Sequence, residues 1–347
     1  MKNGKFFFIS FVLIVLCLLL YLFKDFLLVI SIAILMAVAT ANINAKFLQL
    51  TQGKKVFAAS LTTACIVLLF FAPFVYGVIE LFKTLKNFDT VLITQTIDSL
   101  KNYQFTLPQS LAFLEPKIKE ILTSLDINDL SRQILTYASS FTKSSAKFFV
   151  DMVLICIFYF FVNLYGTELI IYLKSIIPIE KKELDEVLSE VGNVMAVVLY
   201  SMVIIAIFQG FLFAIIVMIF GYNALLMGVI FSISSLIPAV GGALIYVPVS
   251  LYEFATKGLY PALWIFAYSF FVISFVADTL IKPLIIKWIN KKLVKTPTKI
   301  NELLIFLAMI AGISSFGFWG IILGPAILTF FISTIRLYII LKDKNLI

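Results

Sequence analysis

Apolar positions fall into long, almost unbroken blocks: 6–23, 26–41, 56–79, 148–173, 194–220, 224–256, 259–281 and 301–341. A block of about twenty apolar residues is long enough to cross a bilayer as a helix, so this spacing predicts a chain threaded repeatedly through lipid. Residues 80–147 break the pattern. Their 8 Lys/Arg and 7 acids nearly cancel, and their apolar positions return at helical intervals (Leu114, Ile118, Ile121, Leu122, Leu125, then Leu130, Ile134, Tyr137, Phe141). Pro108 and Pro116 stand where helices begin. The chain therefore divides into membrane spans over 1–79, an amphipathic helical extramembrane insert over 80–147, and a C-terminal membrane transport region over 148–347.

Two of the blocks are interrupted. The first contains ISSLIPAVGGALIYVP from Ile233, with Pro238, Gly241, Gly242 and Pro248. Lysine placement decides how to read it. If 224–256 crossed once, segment 282–299 would lie outside the cell with Lys282, Lys287, Lys291, Lys292, Lys295 and Lys299 and no acid. That opposes the rule that cytoplasmic loops carry the positive charge. A re-entrant helical hairpin, entering and leaving on one side, returns those lysines to the cytoplasm. Its halves, 224–237 and 243–256, would each cover roughly 21 Å of a ~30 Å hydrocarbon core. The same reasoning makes 301–341 a second hairpin, with halves 301–313 and about 318–341, that leaves Arg336, Lys342 and Lys344 in the cytoplasm. The fold class expected is an all-α polytopic membrane protein of about eight membrane segments, with both termini cytoplasmic. Phe6–Phe23 reads as a retained span, closing a tight hairpin with 26–41, because Lys24-Asp25 follows it without a small-residue cleavage site.

Composition agrees: 62% of residues are hydrophobic, 13% are charged, and mean hydropathy is +1.09, whereas soluble domains run nearer one-half and one-quarter. Histidine is absent, which removes His-based nucleophile systems, general bases and metal sites. Cys17, Cys65 and Cys156 lie in separate apolar runs without CxxC spacing. The net charge of +8 sits in short loops beside apolar blocks, a topology signal rather than a nucleic-acid surface. No GxxxxGK[ST] loop occurs, so ATP hydrolysis within the chain is excluded on motif grounds. Neither enzymatic activity nor a cofactor or metal is expected.

A carrier needs polar groups at membrane depth, tolerated only where they line a cavity or are buried in protein. At the first tip these are Ser234, Ser235, Pro238, Gly241 and Gly242; at the second, Ser314, Ser315, Gly317, Gly320 and Pro325. Small residues also let helices pack closely, and both roles stay open. Among ionisable residues, Asp278 is four positions before Lys282 and is either a membrane-edge ion pair or a coupling site. Gln209 is a mid-span amide. Asp151 and Glu253 lie near span ends, and Arg336 is a cytoplasmic anchor or an anion partner.

Taken in order, these motifs resemble the autoinducer-2 exporter family of bacterial membrane proteins. They are Ile237-Pro238-Ala239-Val240-Gly241, Pro248, Gly258, Asp278-Thr279 followed by Pro283, Pro297, Gly312, Gly317-Phe318-Trp319-Gly320 and Gly324-Pro325. Where members often have Asn, this chain has Thr279. The resemblance covers most of the chain. It implies an inner-membrane exporter of small polar molecules, sodium (lithium)/proton antiport in some members, and a homopentameric assembly. Three readings stand: a gradient-coupled secondary carrier for a small polar solute or monovalent cation, a channel-like facilitator, and a membrane scaffold without transport.

Overall fold

The computed structural model describes residues 2–86, 116, 127–176, 181–237, 240–293 and 301–343, and every element among them is helical. In chain order these are α1 (Lys2–Leu22), α2 (Leu27–Ala39), α3 (Ala41–Leu50), α4 (Lys55–Ile66), α5 (Ala72–Lys86), α6 (Ile127–Ile176), α7 (Lys181–Ile219), α8 (Ala224–Ser235), α9 (Ala243–Lys257), α10 (Leu259–Tyr268), α11 (Lys282–Leu293), α12 (Glu302–Phe316) and α13 (Gly320–Asp343). Wider π-helical turns join α4 to α5 (Val67–Phe71) and α10 to α11 (Ser269–Ile281). Most of the insert expected over 80–147 lies outside the described residues. The chain forms two compact units, one of 1–67, 149–199 and 290–347, the other of 68–148 and 200–289.

In the first unit, α1 is exposed along its apolar length, from Phe6 at 70% to Leu22 at 73%, as a helix facing lipid can be. The tight hairpin expected between 6–23 and 26–41 is not there. Helices 6–22 and 27–39 meet at 94°, and α2 turns away to bury Val29, Ile32, Ala33 and Met36 and to pack on α13. Helices α3 and α4 form a close pair around Gln52 and Gly53, both at positive φ. The α12–α13 pair is closest of all. A Cβ on Gly320 would lie 1.8 Å from the Gly312 carbonyl oxygen, and one on Gly324 would lie 1.9 Å from that of Ala308. Contacts 312 to 320 and 308 to 324 run in opposite directions along the chain, so α13 folds back on α12. The turn is Gly317–Trp319, which Gly317 opens at φ +63°, a backbone conformation other side chains avoid.

The second unit is built on α7 from Tyr200 onward, α8, α9 and α10 with its π continuation. Phe213, Ile216, Val217, Phe231, Tyr246, Ile265 and Ile273 form its core, with Phe213 and Phe231 stacked at 4.4 Å between centroids. Helices α7 and α8 cross at two glycines: a Cβ on Gly210 would meet the Gly228 carbonyl oxygen at 2.4 Å and Ser232 Oγ at 1.8 Å. Asn223 starts α8 by accepting a hydrogen bond from the Leu226 amide at 3.0 Å, and Asn301 does the same for α12 with Leu303 at 2.8 Å.

Five stretches among the described residues are long and apolar enough to cross a membrane: 55–80, 146–172, 188–219, 259–289 and 303–335. The bent pair 6–22 and 27–39 makes a sixth candidate. That is fewer than the eight or so segments expected. The bent pair counts once, and α8 falls short of a span at 12 residues. The stretch 303–335 passes on length, yet the glycine contacts fold it in two at Gly317. The span expected at about 148–173 is found at 146–172, within a helix α6 that runs unbroken from Ile127 to Ile176.

Candidate transport site

The chain from Phe220 to Lys257 leaves α7, runs out along α8 and returns along α9. Its two ends meet. Tyr222 Oη donates to Glu253 Oε2 at 2.5 Å, and the Tyr222 and Tyr252 rings lie edge to face at 6.5 Å. Lys257 Nζ donates to the Phe220 carbonyl at 2.6 Å. The same ammonium lies 3.0 Å from Glu253 Oε1, off the line of a directed hydrogen bond. Glu253 is fully buried while Lys257 is half exposed, so the carboxylate depends on these two neighbours for compensation. Burial first, then the hydrogen bond to Glu253 and its negative charge, hold the Tyr222 phenol well above its ordinary range. It therefore stays protonated as the donor. Glu253, expected near a span end, is buried in protein.

At the far end of the hairpin, the tip serines bond to backbone. Ser234 Oγ donates to the Gly241 carbonyl, Ser235 Oγ to that of Ser232 at 2.8 Å, and Ser232 Oγ to that of Gly228 at 2.9 Å. Gly241 is confined, because a Cβ there would lie 2.0 Å from the Ser234 carbonyl oxygen. Gly242 faces the Phe231 ring, which a Cβ would meet at 3.1 Å. Pro238 lies outside the described residues. At the second tip Ser314 and Ser315 are exposed at the end of α12. Gly320 and Pro325 belong to α13, where Thr329 Oγ1 donates to the Pro325 carbonyl at 2.7 Å.

Gln209 is buried beside the α7–α8 glycine crossing. Asp151 is half buried in α6, and Lys282 is exposed at the start of α11. The side chains of Asp278 and Arg336 lie outside the described residues; the Asp278 backbone is in the π-helical stretch 269–281. Pro283 follows and has no N–H. It cannot bond the Thr279 carbonyl in α register or that of Asp278 in π register.

A polar chain in the first unit escaped the sequence reading. Tyr159 Oη and Thr40 Oγ1 are 2.6 Å apart, both buried. Thr40 also donates to the Met36 carbonyl at 2.7 Å, which leaves Tyr159 as donor of the shared bond. One turn on, Asn163 donates to the Tyr159 carbonyl, Asn44 to that of Asn163, and Thr62 Oγ1 lies 3.0 Å from Asn44 Oδ1. The available signal was a pair of polar residues one turn apart, Thr40 and Asn44 at the end of the second apolar run and Tyr159 and Asn163 inside the fourth.

Residues 8–340, nearly the whole chain, match the model of the AI-2E family transporters. The chain belongs to this family. Three relatives share one name, "Putative transport protein". That of Helicobacter pylori strain J99 is 33% identical over 345 residues, covering 97% of this chain and 96% of its own. That of Helicobacter pylori strain 26695 is 37% identical over 219 residues, 63% of each chain. The Aquifex aeolicus protein is 27% identical over 268 residues, 74% of this chain and 72% of its own. With its apolar helices, the AI-2E family chain is an integral membrane transporter.

Proposed function

We propose that the protein is a secondary transporter moving small polar molecules out across the bacterial cytoplasmic membrane, driven by a proton or sodium gradient. The observation carrying this reading is the hairpin 220–257. Its two helices of 12 and 15 residues each cover only ~18–22 Å of a ~30 Å core. Short helices that fold back put loop backbone at mid-depth, and transporters bind solutes between such discontinuous helices. The α12–α13 pair is a second fold-back of the chain, at Gly317, and the hairpin 220–257 is the element that rearranges during transport.

Asp278 is the coupling residue in this reading. Its backbone lies in a π-helical stretch that runs up to Pro283, and such stretches are frequent at functional sites. Both termini are cytoplasmic, and the working unit is a homo-oligomer, a pentamer by family resemblance. Autoinducer-2-like solutes are the first cargo to test, with sodium or lithium exchange for protons as the second arm.

The test is flux into and out of liposomes containing the purified full-length protein, with proton and sodium gradients imposed separately. Gradient-driven flux, lost in Asp278→Asn at unchanged folding, is the expected result. Flux indifferent to the gradient makes the protein a facilitator. No flux with folded protein across the cargo panel makes it a scaffold, and normal ion dependence in Asp278→Asn removes that residue from the coupling role.

A further inference from the structure

We propose that Tyr222, Glu253 and Lys257 are a lock that ties the α7–α8 corner to the end of α9 and so holds the base of the hairpin shut. They are positioning residues, not ligands of the solute. The inference rests on the hairpin rearrangement proposed above and names the contacts that must break for it to happen.

Three observations carry it. Glu253 is the one fully buried acid among the described side chains, and its partners come from opposite sides of a seam: Tyr222 from the corner, Lys257 from the end of α9. Lys257 in turn holds the Phe220 carbonyl across the same seam. Second, a glycine at positive φ stands at each end of the segment, Gly221 at +86° and Gly258 at +96°. Each has open space where a Cβ would be, so both are swivel points in the backbone. Third, α9 packs far more extensively on α10 than on α8, so the seam between α8 and α9 is the one that can part.

The chemistry makes the lock two-state. A buried carboxylate without partners is strongly disfavoured, so Glu253 is either held by Tyr222 and Lys257 or wet. The half-exposed ammonium of Lys257 gives water a way to compete. Weakening any member therefore shifts a population and leaves the helices intact.

The test is a distance measurement on the full chain in nanodiscs, with Cys17, Cys65 and Cys156 replaced and nitroxide labels at Leu225, which is 65% exposed, and at exposed Thr256. The unaltered lock gives one narrow distance across the seam. Losing a charged hydrogen bond shifts such an equilibrium on the order of tenfold. Lys257→Met and Glu253→Gln are therefore expected to populate a second, longer distance by about that factor, and Tyr222→Phe by less. A control pair at Leu244 and Thr256, within α9 and about 18 Å apart along it, stays unchanged if the helix is intact. Should the two stronger variants disturb the control, the milder Tyr222→Phe decides. An unchanged distance across the seam with the control intact overturns the lock, whatever the flux assay gives. A lengthened distance in a protein that moves no solute leaves the lock standing and removes the transport reading instead.

Discussion

Replacing Gly320 with alanine puts one carbon where the α12–α13 pair has no room. Its Cβ would lie 1.8 Å from the Gly312 carbonyl oxygen, 2.0 Å from the carbonyl carbon and 2.6 Å from the Ile313 nitrogen. All three are backbone atoms, so no side chain can swing aside. Raising the shortest contact to the 3.0 Å below which real Cβ atoms essentially never come means parting the helices by about 1.2 Å. Over-packing of this kind costs about 1–3 kcal/mol. Gly320 is the first residue of α13, so little helix propensity is regained. Gly324→Ala, at 1.9 Å from the Ala308 carbonyl oxygen, behaves alike.

Gly166 is the contrast. It sits inside α6, and a Cβ there meets only Val162 Cγ1 at 3.4 Å, an ordinary contact. Alanine there stabilises by about 0.5–1 kcal/mol. Because the clash at 312 and 320 is shared, the double variant Gly312→Ala/Gly320→Ala costs less than the sum of the singles. Denaturant or thermal unfolding in mild detergent, read by size exclusion and circular dichroism, gives both signs. If Gly320→Ala is as stable as the unaltered chain, the two helices do not touch, and 303–335 is one straight span after all.

Two further outcomes follow from the geometry. Tyr159→Phe removes the bond to Thr40, and buried side-chain bonds between membrane helices average about 0.6 kcal/mol; Thr40→Val added to it costs little more, which a double-mutant cycle in detergent reads directly. Cysteines placed at Thr256 and Lys292 should react with a membrane-impermeant maleimide from the outside and the inside respectively, and labelling of both from one side contradicts the hairpin topology.

The interruption at Pro238 and Gly241–Gly242 was legible in the sequence because backbone-breaking residues stand out in an apolar run. The contacts closing the hairpin's base were not. Tyr222 and Glu253 are 31 positions apart, and neither carries a local signal of the other. The 94° bend after Leu22 was missed for a related reason: Lys24-Asp25 marks a turn but says nothing of its angle, which the packing of α2 on α13 sets. The π-helical winding over 269–281 has a single local correlate, Pro283, and proline announces a disturbed ladder without specifying its form. Periodicity does not say whether a tip serine serves binding or packing; at Ser234 and Ser235 the fold shows the hydroxyls turned onto backbone carbonyls.

Helix α6 carries a mechanical consequence. Fifty residues in one helix extend about 75 Å, whereas a bilayer with its headgroups takes up about 40–45 Å. With 146–172 in the membrane, residues 127–145 stand roughly 28 Å beyond it as a continuation of the same rod. Whatever meets residues 127–145 therefore meets helix backbone beyond the headgroups, not a loop.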